Sequence, residues 1–114
     1  MVLSKGEKVF IVVRRLFEKD LRRHFIGEVE EVSAELIRVH GYVFVLDEAT
    51  RDFKRREKSQ TNIYSLVDAG IVVIVLTDEI DLEAVHYCIN DKGQRILTDK
   101  KSFYLQVSEF GVNI

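Results

Sequence analysis

The chain has one cysteine, Cys88, and no proline among its 114 residues. A lone thiol forms no internal disulfide and assembles no zinc site by itself, which excludes a disulfide-stapled scaffold and a cysteine-ligated metal domain. The expected compartment is therefore a reducing, cytoplasmic one. With no proline, no strand is marked as an edge by one, and this absence carries no functional reading. Long apolar runs are missing too. The longest, Val9–Val13 and Ile71–Leu76, are far too short to cross a bilayer, so no membrane association is expected. Met1–Gly6 lacks an apolar h-region, and no secretory signal is expected there. No HxH, HxxxH or Cys-His spacing supports a metal site, His86 and Cys88 being two apart and so facing different ways on a helix, and there is no nucleophile elbow, P-loop or dinucleotide fingerprint. The expectation is a protein with no catalytic residues, no metal and no cofactor.

What is present is β-forming. With 46% hydrophobic and 32% charged residues, the composition is that of a globular protein of one domain, residues 1–114. Glu7–Arg15 reads as a strand apolar on both faces, which implies that something covers its outer side. Leu16–Arg23 reads as a compact loop with a helical turn. His24–Val32 is a second strand with a bulge or bend near Glu30-Glu31, and Ala34–Leu46 a long third one. Gly41 sits mid-strand, where a missing Cβ permits sharp coiling or close backbone approach. Asp47–Asp52 is a polar hairpin tip between this strand and the segments Phe53–Arg56 and Thr61–Val67. Asp68-Ala69-Gly70 then turns into Ile71–Leu76, an all-apolar run expected to be a fully buried strand. In Asp81–Ile89 the residues Leu82, Val85, Cys88 and Ile89 recur at helical spacing behind capping carboxylates, predicting a short amphipathic helix. Asn90–Gly93 ends it, with Gly93 available for positive φ. Gln94–Thr98 and Phe103–Val107 read as a terminal hairpin.

The order of bent second and third strands, hairpin, tight turn and short fifth strand resembles an Sm-like barrel, over about residues 9–76. Gly27, Val29, Val32 and Leu36 fall on the glycine and apolar positions of that family's first motif. Ser33 stands where the family has Asp, and Ile37 where it has Asn. In the second motif Gly70, Val73 and Leu76 keep their places, but Ala69 replaces the arginine. The resemblance implies a mainly β fold: a small five-stranded Sm-like or SH3-like barrel over 1–77, extended over 78–114 by the short helix and C-terminal β-hairpin. It also implies ring assembly through strand edges, hence a homo-oligomer. The family's base-binding pocket is not expected here, because Ile37 and Ala69 supply no hydrogen-bonding side chain.

Charge is unevenly spread. Arg14, Arg15, Lys19, Arg22 and Arg23 against Glu18 and Asp20 make a +3 segment, and Arg51, Lys54, Arg55, Arg56 and Lys58 against Asp52 and Glu57 make another. The rest of the chain carries −8, within a net charge of −2. Arg14, Arg15, Lys19, Arg22, Arg23, Lys54, Arg55 and Arg56 are the candidate nucleic-acid contacts. Phe17, Phe25 and Phe53 lie among them, and cations interleaved with aromatic rings suit single-stranded RNA, unless those rings are core residues. His24 reads as a surface residue at a strand start, His40 as a strand residue, His86 as a neighbour of the helical stripe, and Cys88 as a small core residue. Glu28, Glu30, Glu31 and Glu35 read as a solvated acidic edge. Two function classes follow: a non-catalytic binding or assembly module contacting single-stranded RNA through the basic loops, and a protein-interaction or structural module that meets a protein partner without nucleic acid.

Overall fold

The computed structural model describes residues 2–13, 23–47, 49–50, 52–67, 70–77, 79–89 and 91–99, and the backbone of Tyr104–Gln106. Runs rich in β-branched and aromatic residues form its strands: β1 (Lys8–Val13), β2 (Arg23–Val32), β3 (Leu36–Asp47), β4 (Asp52–Arg55), β5 (Gln60–Ser65), β6 (Ile71–Leu76), β7 (His86–Ile89), β8 (Arg95–Thr98) and β9 (Tyr104–Gln106). The first six make an antiparallel sheet in the order β4-β3-β2-β1-β6, with β5 also paired to β3. The last three make a second antiparallel sheet. The mainly β class expected from the sequence is what is found.

β3 spans 12 residues and serves two partners along its side away from β2. Its end pairs with β4, from Phe44↔Arg55 to Asp47↔Asp52, and its start with β5, from Leu36↔Ser65 to Gly41↔Gln60. Between the two, the Arg56 amide donates to the Val43 carbonyl at 2.9 Å, so the connecting chain is pinned where β3 changes partner. Gly41 lies opposite Gly27 at this bend, and neither position has room for a Cβ. The expected bulge is also present, as a register shift between Val29 and Glu31. Ser33 closes the β2–β3 turn: its amide donates to the Leu36 carbonyl at 2.9 Å, and its Oγ accepts from the Leu36 amide at 3.1 Å.

The period of two divides the apolar residues between two cores. Val9, Ile11, Phe25, Val29, Ile37, Val39 and Val43 gather on one face with Leu3, and Tyr64, Ile71 and Val73 pack against them. Phe10, Ile26, Phe44 and Leu46 point the other way, where Phe53, Ile80, Val85 and Leu97 cover them. β1 is thus apolar on both faces because the C-terminal sheet and its lead-in lie behind it. Each such side chain contributes about 1.5–3 kcal/mol on burial, so the second sheet is an integral layer.

Three expectations need correction. Asp81–Ile89 is not a helix: a single 3-10 turn, Leu82–Ala84, is capped by Asp81, whose Oδ1 accepts from the Glu83 amide at 3.2 Å, and β7 follows. Nine residues at helical spacing are too few to nucleate a helix against β-branched Val85 and Ile89 and a ready strand partner in β8. Gly93 does adopt positive φ (77°), but in the β7–β8 turn. β6 is not fully buried, with Val72 54% and Val75 49% exposed, because among the described residues it is the edge of its sheet. Finally, the pairings among the described residues leave the first sheet open, since β6 bonds to β1 alone. The C-terminal hairpin is present as β8 and β9.

Candidate ligand-binding recess

Arg14, Arg15, Lys19 and Arg22 lie outside the described residues, as does Phe17. The other four candidate cations divide into two kinds. Lys54 Nζ sits 3.1 Å from Asp47 Oδ2, and that hydrogen bond is the first cause holding the Asp47 carboxyl below its usual range. The Arg55 guanidinium lies 4.5 Å over the Tyr42 ring, and its Nη1 donates to the Glu83 carbonyl. Both are occupied within the fold. Arg23 and Arg56, 33 positions apart in the chain, line one recess of about 380 Å³.

The recess forms at the end of the curled sheet, where β1 finishes, β2 starts and the chain crosses from β4 to β5. Val13 and Val43 supply its apolar lining, His24 borders it beside Arg23, and alternate residues of β5 give it a polar wall: Gln60, Asn62 and Tyr64. Their spacing of two sends all three the same way. Gln60 Nε2 donates to Asn62 Oδ1 at 2.7 Å, and Asn62 Nδ2 donates to the Tyr64 hydroxyl at 2.9 Å. Tyr64 accepts there, so its own O–H remains a donor. Burial raises the Tyr64 pKa, while the Asn62 hydrogen bond and the Arg23 charge oppose the rise. The phenol therefore stays protonated across the neutral range. Among the described residues no carboxylate lines the recess, and neither Arg23 nor Arg56 forms an ion pair.

A second polar cluster lies between the two sheets. His24 is 2% exposed, which corrects its reading as a surface residue. It stacks on Phe53 at 4.3 Å, meets the Phe10 edge at 5.3 Å, and shares a hydrogen bond through Nδ1 with the Tyr87 hydroxyl. Strand alternation explains the burial: His24 shares its face with Ile26, toward the second core. Desolvation and then the nearby Arg95 charge push its pKa down to about 4, and burial raises that of Tyr87 well above its ordinary value. The ring is accordingly neutral and enclosed, and its residue borders the recess beside Arg23 without adding a charge to it. Phe53 and Phe25 are core residues, 5% and 0% exposed, and offer no stacking platform for a base.

The remaining chemistry-bearing side chains stay dispersed. His40 Nδ1 pairs with Thr61 Oγ1 at 2.9 Å on the exposed side of β3, and His86 Nδ1 with the Ala84 carbonyl at 3.0 Å. Glu28, Glu30, Glu31 and Glu35 are exposed, with Arg38 Nη1 3.2 Å from Glu31 Oε2. Among the described residues no three His, Cys, Asp or Glu side chains converge as a metal site would require, and no helix is long and apolar enough to cross a membrane. No protein-family model, curated protein or solved structure matches the chain.

Proposed function

We propose that the protein is a non-catalytic binding and assembly module, an open relative of the Sm-like or SH3-like small barrel, that engages single-stranded RNA through its basic segments. The observation that carries this reading is the meeting of Arg23, from the first basic segment, with Arg56, from the second, at one recess that no acidic residue lines among the described residues. In a chain of net charge −2, two cations with no carboxylate partner among the described residues form a local field suited to phosphate. Guanidinium groups bind phosphate bidentately, and each phosphate neutralised on a single strand steepens the salt dependence by about 0.7 in log–log slope. The test is fluorescence anisotropy with a short labelled oligouridylate over a salt series. Arg23→Gln combined with Arg56→Gln should weaken binding and flatten the slope by roughly 1.4. No binding at low salt, or a slope unchanged in the double variant, refutes the RNA reading.

β6 supports a second reading, a protein-interaction module that assembles with copies of itself. Exposed sheet edges are normally blunted by charge, proline or a bulge, and Ile71–Leu76 has no charged residue and no proline. Solution mass by light scattering distinguishes the two. A discrete oligomer indifferent to the arginine substitutions, with no RNA affinity, favours assembly alone.

A further inference from the structure

We propose that the recess bounded by Arg23, Arg56 and Tyr64 is a site for a phosphate monoester: the terminal phosphate of a nucleotide or of a nucleic-acid strand, with Arg23, Arg56 and the Tyr64 hydroxyl as its donors. The nucleic-acid arm rests on the RNA reading above; the phosphate chemistry does not.

The first support is the balance of donors. Two guanidiniums carry five N–H donors each and accept nothing, and no carboxylate faces them among the described residues. The second is the direction of the β5 ladder. Each amide donates toward Tyr64, so the chain of dipoles ends on the phenol and strengthens its O–H as a donor. An incoming anion completes that chain. The third is shape. A volume of about 380 Å³ falls within the roughly 300–1,000 Å³ of small-ligand pockets. A concave recess, lined by Val13 and Val43 besides its polar groups, admits a chain end more readily than a strand running through. A monoester dianion also gains more than a diester monoanion from two guanidiniums, since it carries a second charge near neutral pH.

The experiment uses the full chain with an eight-nucleotide uridylate bearing a 5′-phosphate, a 3′-phosphate or no terminal phosphate, and with uridine monophosphate, uridine and inorganic phosphate as competitors. A strand with one terminal phosphate should bind roughly tenfold more tightly than the unphosphorylated strand, the equivalent of one charge-assisted hydrogen bond. The monophosphate should compete and uridine should not. The preference should grow from pH 5 to pH 7 as the phosphate takes its second charge, whose pKa is about 6. Tyr64→Phe, which keeps the ring in the core, should reduce the preference with an unchanged melting curve, and Arg23→Gln or Arg56→Gln should abolish it. Equal affinity for all three strands, with no competition by the monophosphate, overturns the inference and leaves the RNA reading standing. Monophosphate binding without oligonucleotide binding upholds the inference and refutes the RNA reading. A preference that survives both arginine substitutions overturns it.

Discussion

Replacing Gly41 with alanine should cost a large share of the protein's stability. A Cβ built there falls 1.9 Å from the Ile26 carbonyl oxygen, 2.5 Å from Gly27 Cα and 2.8 Å from the Ile26 carbonyl carbon. All three obstacles are backbone atoms of the paired strand β2, so no rotamer change relieves them. The strands must separate at the bend, which breaks ladder hydrogen bonds and opens both cores together. Overpacking in a core typically costs about 1–3 kcal/mol, and a clash confined to backbone belongs at or above the top of that range, at about 3–5 kcal/mol. Against a total of about 5–15 kcal/mol for a domain, the variant should melt roughly 12–40 °C lower, at some 4–8 °C per kcal/mol. Gly93→Ala is the control. Nothing lies within 4 Å of its Cβ, but its φ is +77°, so it should cost only about 1–2 kcal/mol of backbone strain. The assay is thermal and urea unfolding of both variants by circular dichroism. If Gly41→Ala unfolds no more easily than Gly93→Ala, the close approach of β2 and β3 is not as described, and the bend that positions β5 and the recess loses its cause.

The buried imidazole gives a pH prediction. His24 has a folded pKa of about 4 against an ordinary 6.5, so the unfolded chain takes up this proton first as pH falls. Stability is intact above about pH 6.5 and declines toward pH 4, by about 3 kcal/mol for this group. Urea midpoints from pH 7 to pH 5 should fall in the native protein and stay flatter in His24→Gln, and a flat native profile contradicts the burial. Tyr87→Phe removes the hydroxyl bonded to His24 Nδ1 and should cost about 1–3 kcal/mol by urea unfolding, the price of an unsatisfied buried polar atom. Val72→Lys places a charge on the exposed side of β6 and should alter stability by under about 1 kcal/mol. It should also dissociate any oligomer built on that edge, and a native protein that is monomeric by light scattering ends that proposal.

Strand content was legible where the alternation of side chains agreed with burial. β1 was readable as covered on both faces, the Glu30-Glu31 irregularity as a bulge, and Gly41 as a point of close approach. Each of these is a local consequence of side-chain size and the period of two. The errors occurred where two patterns coincide over a short span. In Asp81–Ile89 the helical stripe of Leu82, Val85 and Ile89 overlaps the strand pattern of Val85 and Tyr87, and only pairing with β8 decides between them. In β6 an all-apolar run looks the same whether it is central or at an edge. Sheet order is a property of pairing, and six hydrophobes in a row do not encode it.

The recess was less visible for a related reason. Charge clustering singled out Arg23 and Arg56, yet it gave them the same weight as Lys54 and Arg55, whose partners Asp47, Tyr42 and Glu83 come from other elements. What separates the two pairs is the change of partner along β3. Residues Phe44–Asp47 take β4 and residues Leu36–Gly41 take β5, so Lys54 and Arg55 stay on β4 while the chain carries Arg56 across the bend. Gln60, Asn62 and Tyr64 then face the same opening, an alternation of polar and aromatic residues that read as an ordinary strand. The signal was their spacing beside a basic segment, and its meaning depends on Gly41. A side chain there would force β2 and β3 apart, and Arg23 at the start of β2 would no longer share an opening with the β5 wall. The same glycine contact therefore sustains both the fold and the recess.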